Sequence, residues 1–240
     1  MANSLLIIAT PIGNRQDITL RALKNLFSAD ILLCEDTRKT KQLLAFYRDE
    51  HALSILMNHY EFPRLVSFHE HNEEQRIPQV LEWLRQGLTV GVVTNAGTPT
   101  ISDPGFKLVR ACREAGLNVV TVPGVSAVIA ALSVSGLPTD KFLFLGFLPK
   151  KSGKKRKLFE AVQNLSLAAT IIAYESPYRL RKTCELLQEL FGDVPLTLAR
   201  ELTKVHEEVK TQAISLWLPR LAGKNLKGEV VLLFKREASS

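Results

Sequence analysis

Apolar residues along this chain gather in short continuous runs, separated by stretches that carry helical spacing. Leu5–Ala9, Ile31–Cys34, Thr89–Val93 and Asn118–Val122 are continuous rather than alternating, the pattern of strands buried on both faces. Between them, Ile18–Phe27, Arg38–Phe46, Ile77–Gln86 and Phe106–Ala115 repeat apolar positions every three or four residues and predict helices. Pro78 is expected in the first turn of its helix, and Gly87 and Gly116 stand where helices are closed by glycine. Strand and helix in alternation imply a mostly parallel sheet covered by helices.

After Pro123-Gly124 the pattern restarts. A small-residue helix (Val125–Ser135) precedes a strand at Phe142–Phe147, and a basic helix begins near Ser152. Thr170–Tyr174 is expected as a strand, Pro177–Leu190 as a helix, and Leu196–Ala199, Val205–Ile214 and Glu229–Phe234 as strands. The last three leave too little chain between them for helical crossovers, so the second half is expected to hold a mixed sheet. A hinge near residues 117–124 gives two lobes, 1–120 and 121–240.

Composition agrees with a globular protein with a sizeable core: 46% hydrophobic and 23% charged over 240 residues. No apolar run approaches the roughly 20 residues of a bilayer span. The start, Met1-Ala2-Asn3-Ser4, lacks the positive region of a signal peptide. Cys34, Cys112 and Cys184 are far apart, which argues against a disulfide framework or a zinc site and for a reducing, cytoplasmic location. The net charge is +7, but Lys150-Lys151-Ser152-Gly153-Lys154-Lys155-Arg156-Lys157 alone carries six basic groups. Without it, 25 basic side chains stand against 24 acidic ones. Such a local patch is either a solvated helix start or a surface for nucleic-acid phosphates.

Several strand ends run into loops of Gly, Pro and small polar residues, where open α/β sheets bind ligands. These are Thr10–Asn14, the twelve residues Thr94–Gly105, and Pro123–Ala127. The second is long for its class, and such loops are often functional. There is no GxGxxG after the first strand, no GxxxxGK[ST], no HExxH and no GxSxG, so dinucleotide, P-loop, zinc-hydrolase and serine-hydrolase chemistry lack their signatures. Polar clusters stand at other boundaries: Glu35-Asp36-Thr37-Arg38, His69-Glu70-His71-Asn72-Glu73, Tyr174-Glu175-Ser176-Pro177-Tyr178-Arg179, and Arg200-Glu201-Leu202-Thr203-Lys204. Asp36 or Thr37 reads equally well as a helix cap, and the two histidines as hydrogen-bonding loop residues.

Taken in order, these segments resemble the tetrapyrrole methylase superfamily, and within it the branch that methylates 16S ribosomal RNA. The likeness rests on Ile8-Ala9-Thr10-Pro11-Ile12-Gly13-Asn14, EDTR (Glu35–Arg38), HEHNE (His69–Glu73), AGTPTISDPG (Ala96–Gly105) and PGVSA (Pro123–Ala127). It continues through SGLPTD (Ser135–Asp140), YESP (Tyr174–Pro177), ARELTK (Ala199–Lys204) and GEVV (Gly228–Val231). The resemblance implies a two-lobed α/β tetrapyrrole methylase-like fold, a homodimer, and S-adenosyl-L-methionine held between the lobes. The expected reaction is metal-free 2′-O-methylation of a cytidine in the decoding region of the small ribosomal subunit. Carried over residue by residue, cofactor contacts fall on Pro11, Gly13, Asn95, Ala96, Gly97, Thr98, Ile101, Ser126 and Ala127. Tyr174, Leu202, Gly228 and Glu229 join them from the second lobe.

A ribose hydroxyl is a weak acid, so a side chain must take its proton. Glu35, Asp36, His69 and Glu175 are the candidates, with the Glu35-Asp36 pair favoured and Arg38 beside it. RNA contacts are expected from His69, His71, Lys150, Lys151, Lys154, Lys155, Arg156, Lys157, Arg179 and Arg200. Two departures from the family pattern stand out. Asn95 replaces the usual Asp before AGTP, keeping an acceptor oxygen but losing a charge that would favour the cofactor. Family members also commonly extend some tens of residues past GEVV, so an RNA contact made there is expected to be missing or replaced. The rival readings are a corrinoid or other tetrapyrrole methyltransferase, and a ribosome-binding module without catalysis.

Overall fold

The computed structural model describes residues 4–49, 62–223 and 227–237. The chain divides into two compact units, Met1–Ser126 and Ala127–Ser240.

The first unit runs β1 (Ser4–Ile8), α1 (Leu20–Ser28), β2 (Ile31–Cys34), α2 (Thr37–Asp49), β3 (Arg64–Ser67), α3 (Glu73–Arg85), β4 (Val90–Val93), α4 (Phe106–Glu114) and β5 (Asn118–Val122). The five strands form one sheet in the order β3-β2-β4-β1-β5, every pair parallel. Strand parity explains why the strands lack alternation. Leu6, Ile8, Leu32 and Cys34 pack under α1 and α2, while Leu5, Ile31, Leu33 and Val66 pack under α3 and α4. Both faces are therefore core, as the continuous apolar runs require.

Local chemistry sets the boundaries. Thr19 caps α1 by accepting from the Ala22 amide (3.1 Å), and Asp36 accepts from Arg38 N (2.9 Å) where α2 begins. Gly87 (φ 95°) and Gly116 (φ 68°) close α3 and α4 in the left-handed conformation, with Leu88 N and Leu117 N reaching back to Trp83 O and Cys112 O. The reading of Pro78 is corrected. The helix starts at Glu73, so Pro78 lies in its interior rather than its first turn. Glu73 and Glu74 suit the positive end of the helix dipole, and that polar start hid the first turn from an apolar pattern. The edge strand β3 was not anticipated; it is four residues long, opens on an exposed Arg64, and buries only Val66 fully.

The second unit runs α5 (Ala127–Val134), β6 (Phe142–Phe147), α6 (Ser152–Gln163), β7 (Ala169–Glu175), α7 (Leu180–Phe191), β8 (Pro195–Arg200), β9 (Glu208–Ala213), α8 (Ile214–Leu221) and β10 (Val230–Arg236). The sheet order is β6-β7-β10-β8-β9, with only β6 and β7 parallel. The mixed sheet is as expected, but the expected absence of a helix among its last strands is corrected. Ile214 opens an eight-residue helix instead of ending a strand, burying Ile214, Trp217 and Leu221. The Trp217 indole donates to Leu196 O at 2.9 Å. Phe159 and Val162 of α6, and Leu180, Cys184 and Leu187 of α7, complete that core over Ile171, Leu198 and Phe234. All three cysteines are buried and free. No helix among the described residues is long and apolar enough to cross a membrane.

Candidate active site

In the first unit all five strands point their carboxyl ends to one edge. From β1 the chain crosses to α1 on one face, and from the neighbouring β4 it crosses to α4 on the other, so the connections part between these two strands. Ligands of open α/β sheets bind at such a parting. Here the two departing loops are joined: Thr10 N donates to Gly97 O (2.9 Å) and Gly97 N to Thr10 O (3.0 Å). The Thr10 hydroxyl also donates to Thr94 O (3.2 Å). A cavity of about 170 Å³ opens beside this seam, lined among others by Thr10, Pro11, Arg15, Thr40, Thr94 and Asn95. The third loop is tied in as well, since the Thr98 hydroxyl donates to Val125 O at 3.0 Å. Gly124 permits that closeness; a Cβ there would stand 2.8 Å from the Ala9 Cβ.

The loop from Thr94 to Gly105 is held in an unusual backbone. Thr100 (φ 73°) and Ser102 (φ 63°) adopt left-handed conformations that side chains disfavour. Such strain persists only where surrounding bonds impose it. One of those bonds comes from Glu73, which is buried and accepts from Gly105 N at 3.1 Å. Another comes from Glu35, whose carboxylate accepts from Asn95 N at 3.0 Å. The HEHNE run thus contributes a loop anchor. His69 N donates to the Asn72 side chain (2.8 Å), its ring packs edgewise on His71, and its Nδ1 is buried with no partner among the described residues.

Three carboxyls at this edge differ in character. Asp36 is clamped by Arg38, whose Nε and Nη2 donate at 3.1 and 3.0 Å; these bonds hold its pKa at about 2. It is a helix cap and a weak base, which weighs against the favoured role in proton transfer. Arg38 itself is 87% exposed. Asp103, to which the sequence assigned no role, behaves oppositely: burial, then the nearby charge of Glu35, push it up to about 7 against a hydrogen bond from Thr94. Its sequence neighbourhood marks it only through the long loop and the AGTPTISDPG run it belongs to.

In the second unit the ends of β7 and β8 and the start of β10 lie side by side, with Glu175, Val230 and Arg200 in register. This brings Tyr174, Leu202, Gly228 and Glu229 to one end of the sheet. Tyr174 packs against Phe144 and Phe147, each with ring centroids 5.0 Å away. The turn after β8 is braced by Lys204, which donates to Glu201 (2.9 Å) and Glu229 (3.0 Å).

Several predicted RNA contacts are engaged in ion pairs within the second unit. Lys155 is buried and donates to Glu175 and Thr183, so it is a core ion pair rather than a surface cation. Glu175 is fully engaged by Lys155, Arg179 (2.6 Å), Thr183 and Ser176 N, which also removes it as a proton acceptor. Arg179 serves that pair and Leu148 O. Arg156 forms a two-pronged bond to Glu189 (2.8 and 2.6 Å), and Arg200 pairs with Glu208 at 3.3 Å. Lys150, Lys151, Lys154 and Lys157 remain exposed.

With that architecture in view, the family model of Tetrapyrrole (Corrin/Porphyrin) Methylases matches residues 4–215. The chain belongs to this family. Its relatives narrow the likeness: a protein of Rickettsia prowazekii (strain Madrid E) named Ribosomal RNA small subunit methyltransferase I is 42% identical over 233 residues, covering 97% of this chain and 78% of that protein. A protein of the same name from Thermotoga maritima is 40% identical, covering 95% and 96%. Among solved structures, uroporphyrin-III C-methyl transferase from Thermus thermophilus, complexed with S-adenyl homocysteine, shares the fold with a TM-score of 0.62 at 17% identity, covering 96% of each chain.

Proposed function

We propose that this chain transfers a methyl group from S-adenosylmethionine to the 2′-hydroxyl of a cytidine in the decoding region of 16S ribosomal RNA. The carrying observation is the stitched pair of loops, Thr10–Asn14 and Thr94–Gly105, at the parting of the parallel sheet. Relatives about 40% identical over nearly the whole chain, named for methylating small-subunit ribosomal RNA, support the substrate class.

The residues present fit the cofactor. Ala96 and Gly97 offer backbone without bulky side chains, Pro11 and Asn95 line the cavity, and Glu35 holds the Asn95 amide beside it. Gly13, Thr98, Ile101, Ser126 and Ala127 complete the first unit's share, and Tyr174, Leu202, Gly228 and Glu229 are the second unit's contribution. The bound sulfonium supplies an already activated methyl group, so the protein's task is alignment and proton removal. The seam between Thr10 and Gly97 fixes the backbone that does the aligning. Exposed Lys150, Lys151, Lys154 and Lys157 face phosphates without selecting a base. The active form is a homodimer; exposed Phe142, Leu143 and Phe147 on the edge strand β6 offer an apolar surface for a second copy.

The deciding experiment is tritium transfer from labelled S-adenosylmethionine to small ribosomal subunits lacking the modification, followed by mapping of the labelled nucleotide. Label on a cytidine 2′-oxygen is expected. Label on a uroporphyrin or corrinoid but not on RNA would move the chain to the tetrapyrrole branch.

A further inference from the structure

The cavity beside the Thr10–Gly97 seam has two walls. One is the seam itself with Pro11 and Asn95, already counted toward the cofactor. The other is built by Arg15 and α2, and the function proposed above leaves it unused. Lys39, Gln42, Leu43 and Phe46 follow at i, i+3, i+4 and i+7, so they share one face of α2. The first three line the cavity, and Phe46 carries the Arg15 guanidinium 4.4 Å from its ring centre. Arg15 is held at its backbone as well. It opens a short 3-10 turn, Arg15–Asp17, in which the Asn14 side chain accepts from Gln16 N at 3.0 Å, and the Tyr47 hydroxyl donates to Arg15 O. Stacking occupies the face of the guanidinium and leaves its in-plane fork of N–H groups open.

The charges of this wall are unmatched. Arg15 and Lys39 are exposed, and neither forms an ion pair among the described residues. No carboxylate is found among the described residues that line the cavity. Of the acidic groups nearby in the chain, Asp36 is clamped by Arg38 and Glu35 accepts from Asn95 N. Asp17 closes the turn of Arg15 without lining the cavity. This sets the pair apart from Arg156, Arg179 and Arg200, each of which is matched by a glutamate. Two fixed cations converging on a concave surface without a counter-charge favour an anion there.

We propose that Arg15 and Lys39 seat one phosphodiester of the RNA substrate, the linkage adjoining the nucleotide to be methylated. This rests on the RNA-methylation reading above. Arg15 supplies a two-pronged contact and Lys39 a point charge. S-adenosylmethionine carries a sulfonium and an ammonium, so a doubly cationic wall is a poor seat for it, whereas every RNA linkage brings a full negative charge. The seat reads no base. Its work is register: a phosphate on the cationic wall brings the ribose joined to it against the seam on the opposite wall. The open lysines of the 150–157 run add affinity; this pair places one linkage.

The test uses a decoding-region RNA in which the linkages around the target cytidine are replaced, one at a time, by uncharged methylphosphonate. With the wild-type protein, one linkage adjoining that cytidine should stand out, its neutralisation weakening equilibrium binding by about 10–100-fold. The double variant Arg15→Gln, Lys39→Gln should bind unmodified RNA correspondingly weakly, and the same neutral linkage should cost it nothing further. Lys39→Arg, which keeps the charge, should bind as the wild type does. Calorimetric affinity for S-adenosylmethionine and the melting temperature should stay near wild type in all three proteins. Neutral linkages that weaken wild type and double variant alike overturn the proposal. So does a double variant that binds RNA normally but loses S-adenosylmethionine, which would give the wall to the cofactor's carboxylate. Linkage-dependent binding without methyl transfer to RNA supports the phosphate seat and overturns the methylation reading instead.

Discussion

Two aspartates at one sheet edge show how environment, not residue type, assigns roles. Asp36 is ionised at every working pH because Arg38 stabilises its charge, whereas Asp103 is penalised for carrying one. The stability consequences have opposite signs. Unfolded, Asp103 releases its proton near 3.8; folded, near 7. Between those values the folded state keeps a proton that the unfolded state has lost, so stability declines as pH rises through the window and the full penalty stands above 7. Asp36, lowered in the fold, contributes only above its unfolded value and loses that contribution as pH falls toward 2. Asp103→Asn is therefore expected to melt higher than the wild type at pH 8, by about 2–4 °C once solvent screening is allowed for, with the gap narrowing at pH 5. Thermal melts at the two pH values check this; equal melting at both would show that the carboxyl is not strained. None of it was legible in the sequence. The loop was marked by its length and its Gly, Pro and Thr content, but desolvation and the charge of Glu35 exist only once strands far apart in the chain lie side by side.

At the scale of elements, the sequence was most readable where pattern and period coincide. The continuous runs of β1, β2 and β4 named the buried parallel sheet, because strands covered on both faces have no polar positions to alternate; β5, read the same way, is an edge strand that fully buries only Val122. Where local polarity or a proline blurs the period, the reading slipped: α3 begins earlier than its apolar stripe, and α8, containing Pro219, was not anticipated, its first residue Ile214 being read as the end of a strand. The basic run fails for a related reason. Charge counting treats its six cations as one patch, but helix geometry sorts them. Lys155, Phe159 and Val162 recur at i, i+4 and i+7 and form the inward stripe of α6, while Lys154 and Lys157 point outward. Lys155 is thus a core residue whose ammonium is matched by Glu175 and Thr183. Removing one member of a buried pair leaves the other uncompensated, at a cost of about 3–5 kcal/mol. Denaturant unfolding of Lys155→Met should show a loss of that order, softened if Arg179 takes over Glu175, whereas Lys154→Gln should unfold with the wild type. A Lys155→Met protein of undiminished stability would place the lysine at the surface, as the sequence first suggested.

At the scale of the whole molecule, the question is where an anionic polymer is held. The chain carries +7, and its excess lay in the Lys150–Lys157 run. Lys155 and Arg156 are spent on Glu175 and Glu189, and Arg179 and Arg200 on Glu175 and Glu208. Of the predicted cationic contacts, Lys150, Lys151, Lys154 and Lys157 keep their charge open to solvent. Association with RNA driven by such groups releases counterions, so the logarithm of affinity falls linearly with the logarithm of salt concentration. Each phosphate contact on a single strand contributes about 0.7 to that slope. Replacing all four lysines by glutamine should therefore flatten the slope by about 2–3 and weaken binding at low salt, with little change for different RNA sequences because phosphates carry no base identity. Affinity for S-adenosylmethionine and the melting temperature should stay near wild type, since none of the four is buried. Equilibrium binding to a decoding-region RNA across a potassium chloride series measures the slope. If it is unchanged in the fourfold variant, the phosphates are held elsewhere, and Lys39, an exposed cation lining the cavity, becomes the next residue to replace.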